Sequence, residues 1–119
     1  MARSSEARRV RRELDKELES AGRRAGKKLE WSAAERAVLD LISADFDRLS
    51  DLQDAYATAA EAGEVKLQVK LSTEMRLLEQ SAARLLKQVK TDLPAQPSKT
   101  SLRAQNAANT RWERARAQG

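Results

Sequence analysis

A chain of 119 residues, 40% hydrophobic and 34% charged, has room for one small packed domain. It contains neither cysteine nor histidine, which excludes disulfides, thiolate metal sites and every nucleophile arrangement that relies on imidazole. The net charge of +5 is unevenly spread: +5 over residues 1–28, −4 over 29–93 and +4 over 94–119.

The first segment, residues 1–28, reads as a basic N-terminal arm. It lacks the apolar core of a signal peptide, so a cytoplasmic protein is expected. Residues 5–20 fit a helix, with Ala7, Val10, Leu14, Leu18 and Ala21 forming a narrow apolar row. Gly22 and Gly26 are expected to break it. Arg8, Arg9, Arg11 and Arg12 place four guanidiniums within about one and a half turns. A guanidinium is a planar fork that donates two parallel hydrogen bonds to phosphate. The alternative is a solubilising helix whose arginines pair internally, as Arg9–Glu13 and Arg11–Asp15. Arg23, Arg24, Lys27 and Lys28 extend the basic set around the two glycines. The Gly22–Lys28 stretch is no phosphate-binding loop: it has three residues between its glycines instead of four, and no Ser or Thr after the lysine.

The middle segment, residues 29–93, holds most of the large apolar residues. Ser32 and Glu35 fit a capping box, with Trp31 placed to staple the helix entry. From there Leu39, Ile42, Phe46, Leu49, Gln53, Tyr56 and Ala60 recur every three or four residues, flanked by Val38, Leu41 and Leu52. Together they span an arc of about 160°. Gly63 suits the left-handed position just past the helix end. A second run follows: Leu67, Leu71, Met75, Leu78, Ala82, Leu85, Leu86, Val89 and Leu93, within about 100°. It closes before Pro94. Two long helices joined by so short a turn form an antiparallel hairpin.

One partner helix cannot cover a 160° arc, so a homo-oligomer is expected to bury the surplus through Val38, Leu41, Asp45 and Leu52. Asp45 admits two readings. It is solvated at the seam's edge, or it pairs with Arg76 or Arg84 across a subunit interface, where an unpaired charge would be costly. Asp40, Asp47, Asp51 and Asp54 share one helical face. Nothing else converges on them, so a solvated face is expected and no metal or other cofactor.

The last segment, residues 94–119, opens with a Pro94–Ser101 linker. A short basic helix through Arg116 follows, capped by Thr100 or Ser101. Trp112 between Arg111 and Arg114 has the makings of an anchor for a protein partner, or of a platform for a stacked base. No apolar run reaches the roughly 20 residues needed to cross a bilayer, so no membrane partner is expected. The fold class is thus all-α: a hairpin oligomerisation core with a basic N-terminal helix and a basic tail helix.

Three stretches carry a resemblance: Glu35–Tyr56 (ERAVLDLISADFDRLSDLQDAY), Leu71–Leu86 (LSTEMRLLEQSAARLL), and the small basic tail Ser98–Arg116 after the prolines. In spacing and composition they resemble small terminase subunits of tailed double-stranded DNA phages, especially those of actinobacteria. The resemblance implies a ring-forming, non-enzymatic packaging factor that binds viral double-stranded DNA in the host cytoplasm and regulates the large terminase subunit, an ATPase and nuclease. The N-terminal segment departs from many members, having no room for a helix-turn-helix. That favours DNA wrapped or threaded against flexible basic arms. Two other readings share parts of this pattern: a nucleoid-type DNA-binding protein, and a scaffolding coiled coil without a nucleic-acid role.

Overall fold

In a computed structural model the chain forms three helices in order: α1 (Ser5–Ala25), α2 (Ala33–Glu61) and α3 (Val65–Thr91). The structure describes residues 4–91 together with 103, 106, 107, 110, 111 and 114–116. The described tail residues are helical and exposed. The Pro94–Ser101 linker and Trp112 lie outside the described residues. Among those described there is no strand, and no helix is long and apolar enough to cross a membrane.

The caps follow the local sequence. Ser32 accepts from the Glu35 amide at 3.1 Å while the Glu35 carboxylate accepts from the Ser32 amide at 2.8 Å, completing the capping box. Gly63, at φ 69°, ends α2 in the left-handed region. The amides of Gly63 and Glu64 return to the carbonyls of Ala60 and Ala59, a Schellman arrangement. The chain then reverses directly into α3.

The α2–α3 seam uses alternating three- and four-residue steps on both sides. Val38, Ile42, Asp45, Leu49, Leu52, Tyr56 and Ala59 line it from α2; Gln68, Leu71, Met75, Leu78, Ala82, Leu85 and Val89 line it from α3. All are buried or half-buried. Three details differ from the apolar pattern. Leu67 is 41% exposed and Gln68 takes the inward position. Gln53 and Ala60 are exposed, and Ala59 is the buried alanine.

α1 is longer than its sequence suggests and is no free arm. It runs through Gly22 and stops at Gly26, whose φ of 66° is left-handed. Its row of Ala7, Leu14, Leu18 and Ala21 is buried, with Val10 half-buried. Leu14, Leu18 and Ala21 join Leu29, Trp31, Leu39, Ile42 and Val89 in one core cluster. Each fully buried leucine there contributes about 1.5–3 kcal/mol. The part of the α2 arc that α3 cannot reach, around Leu39 and Ser43, is therefore covered within the same chain. Val38, Asp45 and Leu52 sit in the intrachain seam, which leaves Leu41, at 55% exposure, as the outward member of the expected oligomer interface.

Two polar contacts hold α1 antiparallel to α2, and a third joins it to α3. The Ser4 amide donates to Asp47 Oδ1 at 2.7 Å, placing a buried carboxylate at the positive end of α1. Trp31 Nε1 donates to Asp15 Oδ1 at 2.9 Å. Lys90 Nζ lies 3.7 Å from Glu17 Oε1, tying α1 to the end of α3. Trp31 thus joins α1 to the entry of α2: its Nε1 reaches Asp15, it clusters with Leu39, and Arg36 donates to its carbonyl at 3.3 Å. Asp47 leaves the solvated acidic face expected of it, because α1 begins directly above it. Since α1 starts level with Asp47, α1, α2 and α3 lie together at one end of the hairpin and only α2 and α3 at the other, among the described residues.

Candidate nucleic-acid interface

The docking of α1 decides which of its charges face outward. With Ala7, Leu14 and Leu18 turned to the core, the opposite face carries Arg8, Arg12, Lys16 and Arg23, with Arg9 beside them. All five are exposed. From Arg8 to Arg23 the row extends about 22 Å along the helix. Asp15 and Glu17 lie nearer the core boundary, where they hold Trp31 and Lys90. Two of the five acids of α1 are thereby engaged by other parts of the fold, while Glu6, Glu13 and Glu19 stay exposed, Glu19 beside Arg23.

The four clustered arginines are not equivalent. Arg8 and Arg12 make no ion pair among the described residues. Arg9 reaches back to Glu6 at 2.6 Å, instead of forward to Glu13. Both partners are half exposed, so this pair competes weakly with a phosphate. Arg11 is half-buried and its Nε donates to Asp15 Oδ1 at 3.3 Å, the oxygen that also holds Trp31. Arg11 therefore belongs to the fold more than to the outer face.

At the end of α1 the amides of Gly26 and Lys27 donate to the carbonyls of Arg23 and Gly22, at 3.2 and 2.9 Å. These amides cap the helix and are not offered to an anion, so this stretch is a helix stop, as its spacing indicates. Arg23 lies 4.0 Å from Glu19, a long and solvated contact. Arg24 is exposed and helps line a groove between α1 and α3 with Lys16, Glu17, Ser20 and Lys90. Lys27 is half-buried and Lys28 exposed at the following turn.

No known protein family, curated protein or solved structure matches this chain. Its chemistry is therefore read from its own residues.

Among the described residues no group of three or more metal-ligating side chains converges. Asp47 faces α1 while Asp40, Asp51 and Asp54 are exposed, so the acidic row is split by packing. One carboxylate oxygen of Asp45 is buried without a hydrogen-bond partner. It sits in the seam of its own hairpin, and neither Arg76 nor Arg84, both exposed, reaches it. In the tail, Arg111 and Arg114 are helical and exposed.

Asp15, Glu17, Asp47 and Gly22 were not singled out by the sequence as contacts that hold α1. Three are ordinary charged residues in a charged helix or an acidic row, and their partners lie 16 to 73 positions away in the chain.

Proposed function

We propose that this protein is a non-catalytic DNA-packaging factor of the small-terminase type, which assembles with itself, binds double-stranded DNA and regulates the large terminase ATPase-nuclease. The observation that carries the DNA half of this reading is the outward row Arg8, Arg12, Lys16 and Arg23 on a helix whose acids are partly engaged inward. Phosphates along a duplex backbone are the natural complement of a rigid row of that length. The row touches backbone and offers no base-reading element, so binding is expected to position the protein without strong sequence preference. Because α1 is fixed on the hairpin, DNA lies along a stiff helix and is not held by a flexible arm. The tail, through Arg111, Trp112 and Arg114, is assigned to the large subunit.

The test is DNA affinity measured by fluorescence anisotropy across a salt series. Changing Arg8, Arg12 and Arg23 together to alanine should weaken binding to every duplex and flatten the slope of log K against log salt by about 2–3. An unchanged slope would remove α1 as the DNA site. A nucleoid-type protein would share that result but would not stimulate a terminase ATPase. Truncation after Ser98 should abolish stimulation while leaving DNA binding largely intact.

A further inference from the structure

We propose that the outer face of α3 at the two-helix end is a self-association surface, on which a second copy of this chain packs antiparallel through Val65, Val69, Thr73 and Leu77. The proposal rests on the assembly half of the reading above and is independent of its DNA half. It places the contact on α3, away from the Val38–Leu52 arc.

Val65, Val69 and Leu77 are 67%, 63% and 52% exposed. They follow one another at four-residue steps with Thr73 between them, forming a single ridge about 18 Å long. Thr73 completes the apolar surface. Its hydroxyl donates to the Val69 carbonyl of its own helix at 3.1 Å, which satisfies the polar atom and leaves the methyl group for packing. Valine is a mediocre helix former and gains nothing on a solvated helix face, so two exposed valines there are best accounted for by packing. α1 covers α2 only as far as Asp47, so no part of the described chain reaches this ridge.

A second copy fits the ridge with both its apolar residues and its flanking charges matched. A two-fold axis midway between Val69 and Thr73 brings Val65 of one copy against Leu77 of the other, and Val69 against Thr73. Such reciprocity is what an isologous contact requires. Four-residue ridges from two helices interdigitate well when they cross at about 50°. Lys70 and Glu74 lie on the same side of the ridge, and the same axis brings each close to its opposite charge on the other copy. The ridge exposes on the order of 300 Å² of apolar surface, at the lower end of functional patches. The contact is accordingly weak in an isolated pair.

The absence of native cysteine makes the register directly measurable. Val69→Cys and Thr73→Cys proteins are each prepared, then oxidised alone and as an equal mixture. The mixture should yield disulfide-linked dimer several-fold more efficiently than either protein alone, since only facing α-carbons within about 7 Å can be bridged. Self-linking of each variant as efficient as in the mixture would mean parallel packing and would overturn the proposal. So would an absence of linkage together with monomeric sedimentation. In a second measurement, Val69→Lys with Leu77→Lys should weaken self-association about tenfold or more at unchanged helicity; undiminished association would overturn the proposal. Both experiments leave the α1 arginines intact, so a failure here is separable from a failure of the DNA reading.

Discussion

Gly22→Ala puts two opposing effects in direct competition. Gly22 lies inside α1, where alanine ordinarily stabilises by about 0.5–1 kcal/mol through its better helix propensity. At this site, however, the new Cβ would stand 2.6 Å from the carbonyl oxygen of Lys27, with Leu29 packed behind at 3.5 and 3.6 Å. The close atom is backbone, held there by the Lys27 amide that caps the Gly22 carbonyl. It cannot rotate away as a side chain would. Overpacking of this kind costs about 1–3 kcal/mol, so the net effect should be a loss of about 1–2 kcal/mol. Urea unfolding followed by circular dichroism should show a lower midpoint with an unchanged m-value. Thermal melting should fall by about 5 °C or more. Gly26→Ala is the comparison: nothing lies within 4 Å of its Cβ, yet its φ of 66° makes a side chain strained, for a cost of about 1 kcal/mol. A Gly22→Ala protein more stable than the parent would show that the turn does not press on α1, and the account of how α1 ends would be wrong.

Other substitutions probe the remaining contacts. Asp45→Asn should raise stability by about 1 kcal/mol, because it removes charge from a carboxylate with a buried, unpartnered oxygen; a lower urea midpoint would reveal a partner for Asp45. Asp47→Ala should lower stability by about 1–3 kcal/mol and speed hydrogen exchange in the first turn of α1, with α3 unaffected. Trp31→Phe keeps an aromatic ring but a smaller one and loses the bond to Asp15, and its urea midpoint should report a loss of about 1.5–3 kcal/mol. Arg11→Ala should reduce stability more than it reduces DNA affinity, the reverse of Arg8→Ala, when melting and anisotropy are measured on the same preparations.

Much of the helical framework was legible in local signals. The Ser32–Glu35 box, Gly63, and the spacing of Leu71, Met75, Leu78 and Ala82 each depend on near neighbours, and each reappears in the structure. What the sequence concealed was the second partner of α2. Its α1-facing side continues through Ser43 and Asp47, both buried yet polar, so hydropathy ends the arc too early and leaves an apparent surplus. The apolar row of α1 was readable, but the surface that receives it was not. Gly22 misled for a related reason: a glycine demanded by an approaching carbonyl looks the same in sequence as one that ends a helix. Among the basic residues, composition could not distinguish Arg11, turned to Asp15, from Arg8 and Arg12, turned to solvent.

The point at which α1 begins also divides the molecule mechanically. Resistance to bending grows steeply with cross-section, so the three-helix end behaves as a stiff base and the two-helix end as a more compliant strut. Force applied along the arginine row would load Leu14, Leu18, Asp15 and Asp47 together, in shear, and not peel them one after another. Beyond Asp47 the hairpin can flex without disturbing those contacts. Copies joined at the strut in the way proposed above would thus be free to change their mutual angle without straining the α1 contacts.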